Sequence, residues 1–387
     1  MSKVDLPIKI FNANKTDYDS KEIILGQEPG LFDSINNHHP VLFNLYKRLK
    51  MMDWDENEFP YADCLHEFET CDRTSYEMMI KTLAWQWEAD ATASRSIINV
   101  LAPVLTDSRV FAGYSLITSN ECLHALTYSE IVRNSFKNPQ VILDEILKVQ
   151  EAQERLVTVA KVMGEAHDAS HAYACGTIPN DQALYNKIFK FLLALYYLER
   201  VQFMASFAVT FAFGKMGRFQ PIVMGVQKIA IDEFEVHAQF GQEVIKALLK
   251  TERGRLAYEQ TKEEGTKLFW EVLMSEVRWL MYLFSEGREL PGVTLKKMIQ
   301  WVLFNGNAAG TFTGHKDMLT EEHAAEFLAI TGFELEWPEK NPLPYMTEYL
   351  DLAANQTSPQ EVDNNQYMVN ALDTSNEQAE FEVDFLD

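Results

Sequence analysis

Cysteine is scarce in this chain. The four that occur in 387 residues, Cys64, Cys71, Cys122 and Cys175, include no Cys-x-x-Cys pair. Such usage lacks the density of a disulfide framework and fits a reducing, intracellular setting. The opening residues, Met1-Ser2-Lys3-Val4-Asp5, lack the apolar core of a signal peptide. No glycine-rich loop follows a strand-like run, which disfavours a nucleotide-binding α/β domain. No repeat of solenoid period is present. Basic residues are outnumbered by acidic ones, 34 to 57, for a formal net charge of -23. That balance argues against nucleic-acid phosphate as a partner. The longest apolar stretch, around 189–213, is interrupted by Glu199, Arg200 and Gln202. A buried helix is therefore expected there, with no membrane span. A cytoplasmic location follows as an expectation.

What the chain does have is apolar bulk. Hydrophobic residues make up 47% and aromatics 12%, enough for a large core. From about residue 40 to 350 apolar residues recur at spacings of three and four, notably over 76–102, 109–135, 139–170, 184–213, 221–249 and 256–286. The breaks fall at Pro103, Asn138-Pro139, Gly176 to Pro179, Gly214 to Gly217 and Pro291-Gly292. The expected fold class is all-α. Residues 1–30, with Pro7, Gly26 and Pro29-Gly30, read as an extended N-terminal arm. Residues 31–350 form the helical domain. Residues 351–387, rich in Asn, Gln, Asp and Glu, read as a flexible acidic tail.

The chemistry begins at Glu121-Cys122-Leu123-His124. Glu and His three apart share one helix face and can grip one metal ion, and Tyr128 projects from the same face. A phenol beside a metal site suggests oxidation chemistry. One such pair is a common accident of charged helices, so the rest of the chain has to supply the missing ligands. Asp90 lies 31 residues before Glu121. Two antiparallel helices joined by a turn bring such residues to one level, since each rises about 1.5 Å per residue. Glu199 sits in an otherwise apolar helix, where a lone carboxylate is costly unless paired or metal-bound. Thirty-four residues later come Asp232-Glu233, and then His237. The second half thus repeats the first. Four carboxylates and two histidines on four helices is the arrangement of ferritin-like di-metal carboxylate proteins. Oxygen ligands with one imidazole per metal suit iron or manganese. His167 and His171 also have ligand spacing, but no carboxylates lie at a matching interval, and they are read as ordinary polar positions.

Several strings resemble the small, radical-generating subunit of class I ribonucleotide reductase. They are Glu121-x-x-His124-x-x-x-Tyr128 running into Ile131-Val132-Arg133-Asn134, Leu198-Glu199-Arg200-Val201-Gln202-Phe203, Ile231-Asp232-Glu233, and Pro359-Gln360-Glu361-Val362 ahead of Tyr367. The likeness spans roughly residues 25 to 385. It implies a ferritin-like bundle with additional helices and two iron ions per chain, or manganese, with an O₂-derived oxo bridge. Asp90, Glu121 and His124 would hold one metal, and Glu199, Glu233 and His237 the other, with Glu121 and Glu233 bridging. Tyr128 would store the radical, packed by Phe203, Phe207 and Ile229. Trp54 would deliver an electron, linked to His124 through Asp232. Tyr367, with Glu361 nearby, would relay the radical to a large catalytic subunit that binds the C-terminal tail. A homodimer is implied by the resemblance alone. This chain would not itself bind the nucleotide substrate.

One departure stands out. The family pattern Asp-Glu-x-x-His is here Asp232-Glu233-Phe234-Glu235-Val236-His237, one residue longer. Counting forward from Glu199 keeps Glu233 as ligand, on the same helix face as His237 or with a π-bulge absorbing the extra residue. Counting back from His237 puts Phe234 in the ligand position and destroys the site. The first alignment is expected, with Glu235 a neighbour of the site or outward-facing. Two rival functions follow: a self-contained di-metal oxidase, and a non-catalytic scaffold that has lost its metals.

Overall fold

The computed structural model describes residues 10–14, 16, 22–290 and 292–352. The first helices are α1 (Pro40–Met51), α2 (Cys64–Thr70), α3 (Arg73–Leu101) and α4 (Ser108–Ser135). The predicted segment 139–170 is two helices, α5 (Pro139–Ile146) and α6 (Gln150–Ala174). The centre of the chain holds α7 (Gln182–Tyr197), α8 (Phe203–Lys215), α9 (Gln220–Asp232) and α10 (Ala238–Leu249). Then come α11 (Glu252–Leu283), α12 (Leu295–Thr313), α13 (Glu321–Thr331) and α14 (Tyr345–Tyr349). Among the described residues the only extended pairings are isolated bridges, so the fold is all-α. It is a ferritin-like helical bundle with additional helices.

Local chemistry sets the helix starts. Asp72, Asp107 and Asp181 each cap a helix, accepting from the backbone N–H of Ser75, of Arg109 and Val110, and of Leu184. A side chain of this kind satisfies donors that the first turn leaves open, for about 1 kcal/mol per cap. Pro221 lies in the first turn of α9, where its missing N–H costs nothing.

Two long rods are not continuous α-helix. α7 passes into α8 through a π-turn at Leu198–Gln202, and α9 passes into α10 through another at Glu233–His237. A π-turn takes up one more residue than an α-turn. Of the alternatives for the lengthened Asp232–His237 stretch, the backbone therefore adopts the bulge.

α3 packs most extensively against α4, and the short link between them makes the two antiparallel. α8 and α9 form a second such pair, and the two π-turns touch. α6 packs on α3 and α7, and α11 packs on α7 and α6. The core between them is dense in aromatics, with Phe189, Phe191, Phe203, Phe207 and Phe211 fully buried. Gln182–Lys215 is long and apolar enough to cross a membrane, but 94% of its most apolar window is buried inside the bundle. Its hydrophobicity is spent on the core.

α10 is seated on α4 by a close approach. The ring of Phe240 lies directly over Gly113, where any Cβ would collide with it. Tyr114 meets the same ring edge-on at 5.0 Å. Within the predicted arm, Ile23, Ile24 and Leu25 are buried. Leu25 donates to the carbonyl of Val104, and Thr106 donates back to Ile23. The described residues up to Asp351 form one compact unit. Residues 353–387 lie outside the described residues.

Candidate metal centre

α3 carries Asp90, α4 carries Glu121 and His124, and the two π-turns carry Glu199, Glu233 and His237. All six side chains are buried. Ligand-type atoms of Asp90, Glu121, His124 and Glu233 lie within 4.8 Å of one another, as do those of Glu121, Glu199, Glu233 and His237. The two groups share Glu121 and Glu233, which stand between them. His124 Nδ1 lies 3.0 Å from Glu233 Oε1, and His237 Nδ1 lies 3.0 Å from Glu121 Oε1 and from Glu233 Oε2.

The cluster does not satisfy itself. Both carboxylate oxygens of Asp90, Glu121 and Glu199, together with Glu233 Oε1 and His124 Nδ1, are buried without a hydrogen-bond partner. The His124–Glu233 approach is close but lacks hydrogen-bond alignment. Among the described residues no Lys or Arg forms an ion pair with any of the six. Burial, then the charge of Glu121, pushes the Asp90 carboxyl well above its usual range, and the same causes raise Glu233 strongly and Glu199 to about 7. Glu121 is the exception. Burial raises it, but the close His124 and His237 imidazoles outweigh that and bring it to about 2. Four carboxylates in a dry pocket cannot all stay ionised without cations. The donor set fits two hard divalent ions sharing bridging carboxylates.

An outer layer orients the two imidazoles. His124 Nε2 lies 3.1 Å from Asp232 Oδ2, and the same oxygen accepts from Trp54 Nε1 at 2.8 Å. The Trp54 and His124 rings stack at 6.1 Å. His237 Nε2 lies 2.8 Å from Asn120 Oδ1.

The family model for "Ribonucleotide reductase, small chain" matches residues 32–323. This chain belongs to that family. The ribonucleoside-diphosphate reductase subunit beta of Enterobacteria phage T4 is 23% identical to it, over 94% of this chain and 95% of its own length. The ribonucleotide reductase R2 subunit from Clostridium botulinum has the same fold, with a TM-score of 0.72 at 17% identity over 90% of this chain and 99% of its own. Streptococcus sanguinis dimanganese(II)-NrdF also shares it, with a TM-score of 0.62 at 14% identity over 83% of this chain and 100% of its own. As a small chain of ribonucleotide reductase the protein belongs to an oxidoreductase family.

In a small chain the remaining sequence-predicted residues take on specific meaning. Tyr128 is fully buried and its hydroxyl has no hydrogen-bond partner. Burial, then the charges of Asp90, Glu233 and Glu121, holds its proton on far above the ordinary phenol range. Phe203, Phe207 and Ile229 are buried too, and the two phenylalanine rings stack at 5.6 Å. Phe234 lies outside the ligand set, under the guanidinium of Arg200 at 5.1 Å. Glu235 pairs with Arg48 at 2.7 Å. Arg200 donates to Asn305, so it is no partner for Glu199. Tyr367 and Glu361 lie outside the described residues.

Sequence reasoning missed Asn120. The one available signal was its place four residues before His124 and eight before Tyr128, on the same helix stripe. It also missed the buried pair Arg155 and Glu276, which no motif marks.

Proposed function

We propose that this chain is the small subunit of a ribonucleoside-diphosphate reductase that generates a tyrosyl radical and passes it to a large catalytic subunit. The observation that carries the reading is the fully buried set of four carboxylates and two imidazoles, with orphaned carboxylate oxygens and, among the described residues, no Lys or Arg paired with any of the six. Asp90, Glu121 and His124 would hold one ion, and Glu199, Glu233 and His237 the other, with Glu121 and Glu233 shared. Iron is the first choice and manganese the alternative, since both accept this donor set. When bound, the pair supplies the oxidising power drawn from O₂.

The chain's own residues do the rest. His124 and His237 each turn Nε2 outward to an acceptor, so that with metal bound each Nδ1 would offer its lone pair to the cluster. Because the phenol of Tyr128 keeps its proton, oxidising it removes an electron and a proton together. The apolar wall around it excludes water and reductants that would quench the product. Trp54 feeds one electron inward along the Trp54–Asp232–His124 chain. The same chain, continued by Tyr367, carries the radical out to the large subunit, which docks on the acidic tail. Homodimerisation and a cytoplasmic setting belong to this proposal.

Low-temperature electron paramagnetic resonance after addition of Fe(II) and O₂ tests the reading. A tyrosyl signal is expected in the native chain and none in Tyr128→Phe; a signal that survives the substitution refutes the assignment. Deleting residues 360–387 should abolish turnover with the large subunit and leave the radical intact. Retained turnover would remove the tail from the proposal.

A further inference from the structure

The two histidines of the cluster are held by different chemistry. His124 leans on a carboxylate, Asp232. His237 leans on a neutral amide, Asn120. Asn120 sits on α4, half-buried, immediately before Glu121. Its Nδ2 donates to Asp232 Oδ2 at 3.2 Å, while its Oδ1 meets His237 Nε2 at 2.8 Å. Asp232 Oδ2 is thus the meeting point of three N–H groups, from Trp54, His124 and Asn120. The amide orientation is fixed by this network. The flipped amide would set its oxygen against the Asp232 carboxylate and leave two donors facing one imidazole nitrogen. With Oδ1 toward His237, Nε2 carries a proton, and Nδ1 is the nitrogen turned to the Glu121 and Glu233 carboxylates.

The lengthened second motif gives this contact its purpose. The π-turn at Glu233–His237 carries the residue by which this motif exceeds the family pattern, and a side chain from α4 meets the outer nitrogen of His237. That side chain is Asn120. We propose that Asn120 is a positioning residue for the second metal position: it fixes the tautomer and aim of His237, ties that imidazole to the Asp232 hub, and makes the two metal positions unequal. A carboxylate partner makes an imidazole a stronger ligand than an amide partner does. The position served by His124 should therefore bind the more tightly of the two. The inference rests on reading the six residues as ligands.

The test uses Mn(II) alone, titrated into the full-length metal-free chain and followed by calorimetry and by the Mn(II) paramagnetic resonance signal. Wild type should bind two ions with distinct affinities. Asn120→Leu should weaken one of them by about 10–100-fold and leave the other within a few-fold, the range typical for loss of an outer partner of a metal-bound histidine. Asn120→Gln, which keeps both a carbonyl to accept from Nε2 and an amide N–H for Asp232, should bring the weakened position back to within about tenfold of wild type. Circular dichroism checks that the variants fold; if Asn120→Leu does not, Asn120→Ala removes the same carbonyl and carries the same expectation. Unchanged affinities, equal weakening of both positions, or no recovery in Asn120→Gln would each overturn the proposal. Failure of the wild-type chain to bind two ions would instead sink the ligand reading on which it rests.

Discussion

Arg155 and Glu276 are as deeply buried as the six residues of the metal centre, and the two clusters share a π-turn. Leu198–Gln202 sends Glu199 into one and Gln202 into the other. In the first cluster the Arg155 guanidinium donates to both carboxylate oxygens of Glu276 and to the carbonyl of Gln202. Its plane lies over Trp85 at 3.8 Å and faces Trp279 at 5.0 Å. Burial raises the Glu276 carboxyl and Arg155 draws it back, and the two-pronged contact is one that only the anion can make. That cluster brings its own counter-charge. The other has acids and imidazoles, and orphaned oxygens aimed at shared points. The lesson is that burial of charge alone does not mark a site. A buried charge cluster that lacks its counter-ion does.

The largest effect should come from the ions themselves. Each ion present at 100 times its dissociation constant stabilises the fold by about 2.7 kcal/mol, so removing both costs about 5 kcal/mol. Urea unfolding of Mn(II)-loaded protein with and without a chelator measures this, and equal stabilities would erase the contrast. Next comes the self-contained cluster. Glu276→Ala strands a buried guanidinium and should cost about 3–5 kcal/mol. The loss should be the same in loaded and metal-free protein. A loss that appears only with metal present would mean that the two clusters are one system.

The smallest effect is a control outside both. His315 is buried, hydrogen-bonded to Tyr197 at 2.6 Å, and held down to about 4 by burial and by the charge of Lys262. The unfolded chain takes up this proton near the ordinary histidine value, while the folded chain resists until about pH 4. Stability from His315 is therefore full above the unfolded value and is lost as pH falls through the window between the two. By pH 5 the loss is about 2 kcal/mol. Comparing unfolding of the native chain and His315→Asn at pH 7.5 and 5 isolates it. A pH dependence left unchanged by the substitution would assign that limb of the curve to the clusters.

Much of the site could be read from the linear chain. Asp90, Glu121, His124, Glu199, Glu233 and His237 were all found by type and interval, because helix rise turns sequence distance into height. The helical segments were legible for the same reason. The division of 139–170 into α5 and α6 was not, since nothing like Gly or Pro marks residues 147–149. The burial of Ile23 to Leu25 was hidden as well, because it depends on pairing with residues 104–106, far along the chain.

The sequence by itself determined which ligand types exist and that they recur in two halves. It also revealed the extra residue between Glu233 and His237. It could not say where that residue goes. The tertiary structure decided that a π-turn absorbs it, keeping Glu233 in the cluster and sending Phe234 to Arg200. It also decided which residue each imidazole meets: Asp232 for His124, Asn120 for His237, and Trp54 behind Asp232. The physical reason is range. Ligand spacing follows from helix geometry within one rod, whereas these hydrogen bonds join residues more than a hundred positions apart, and only packing brings them together.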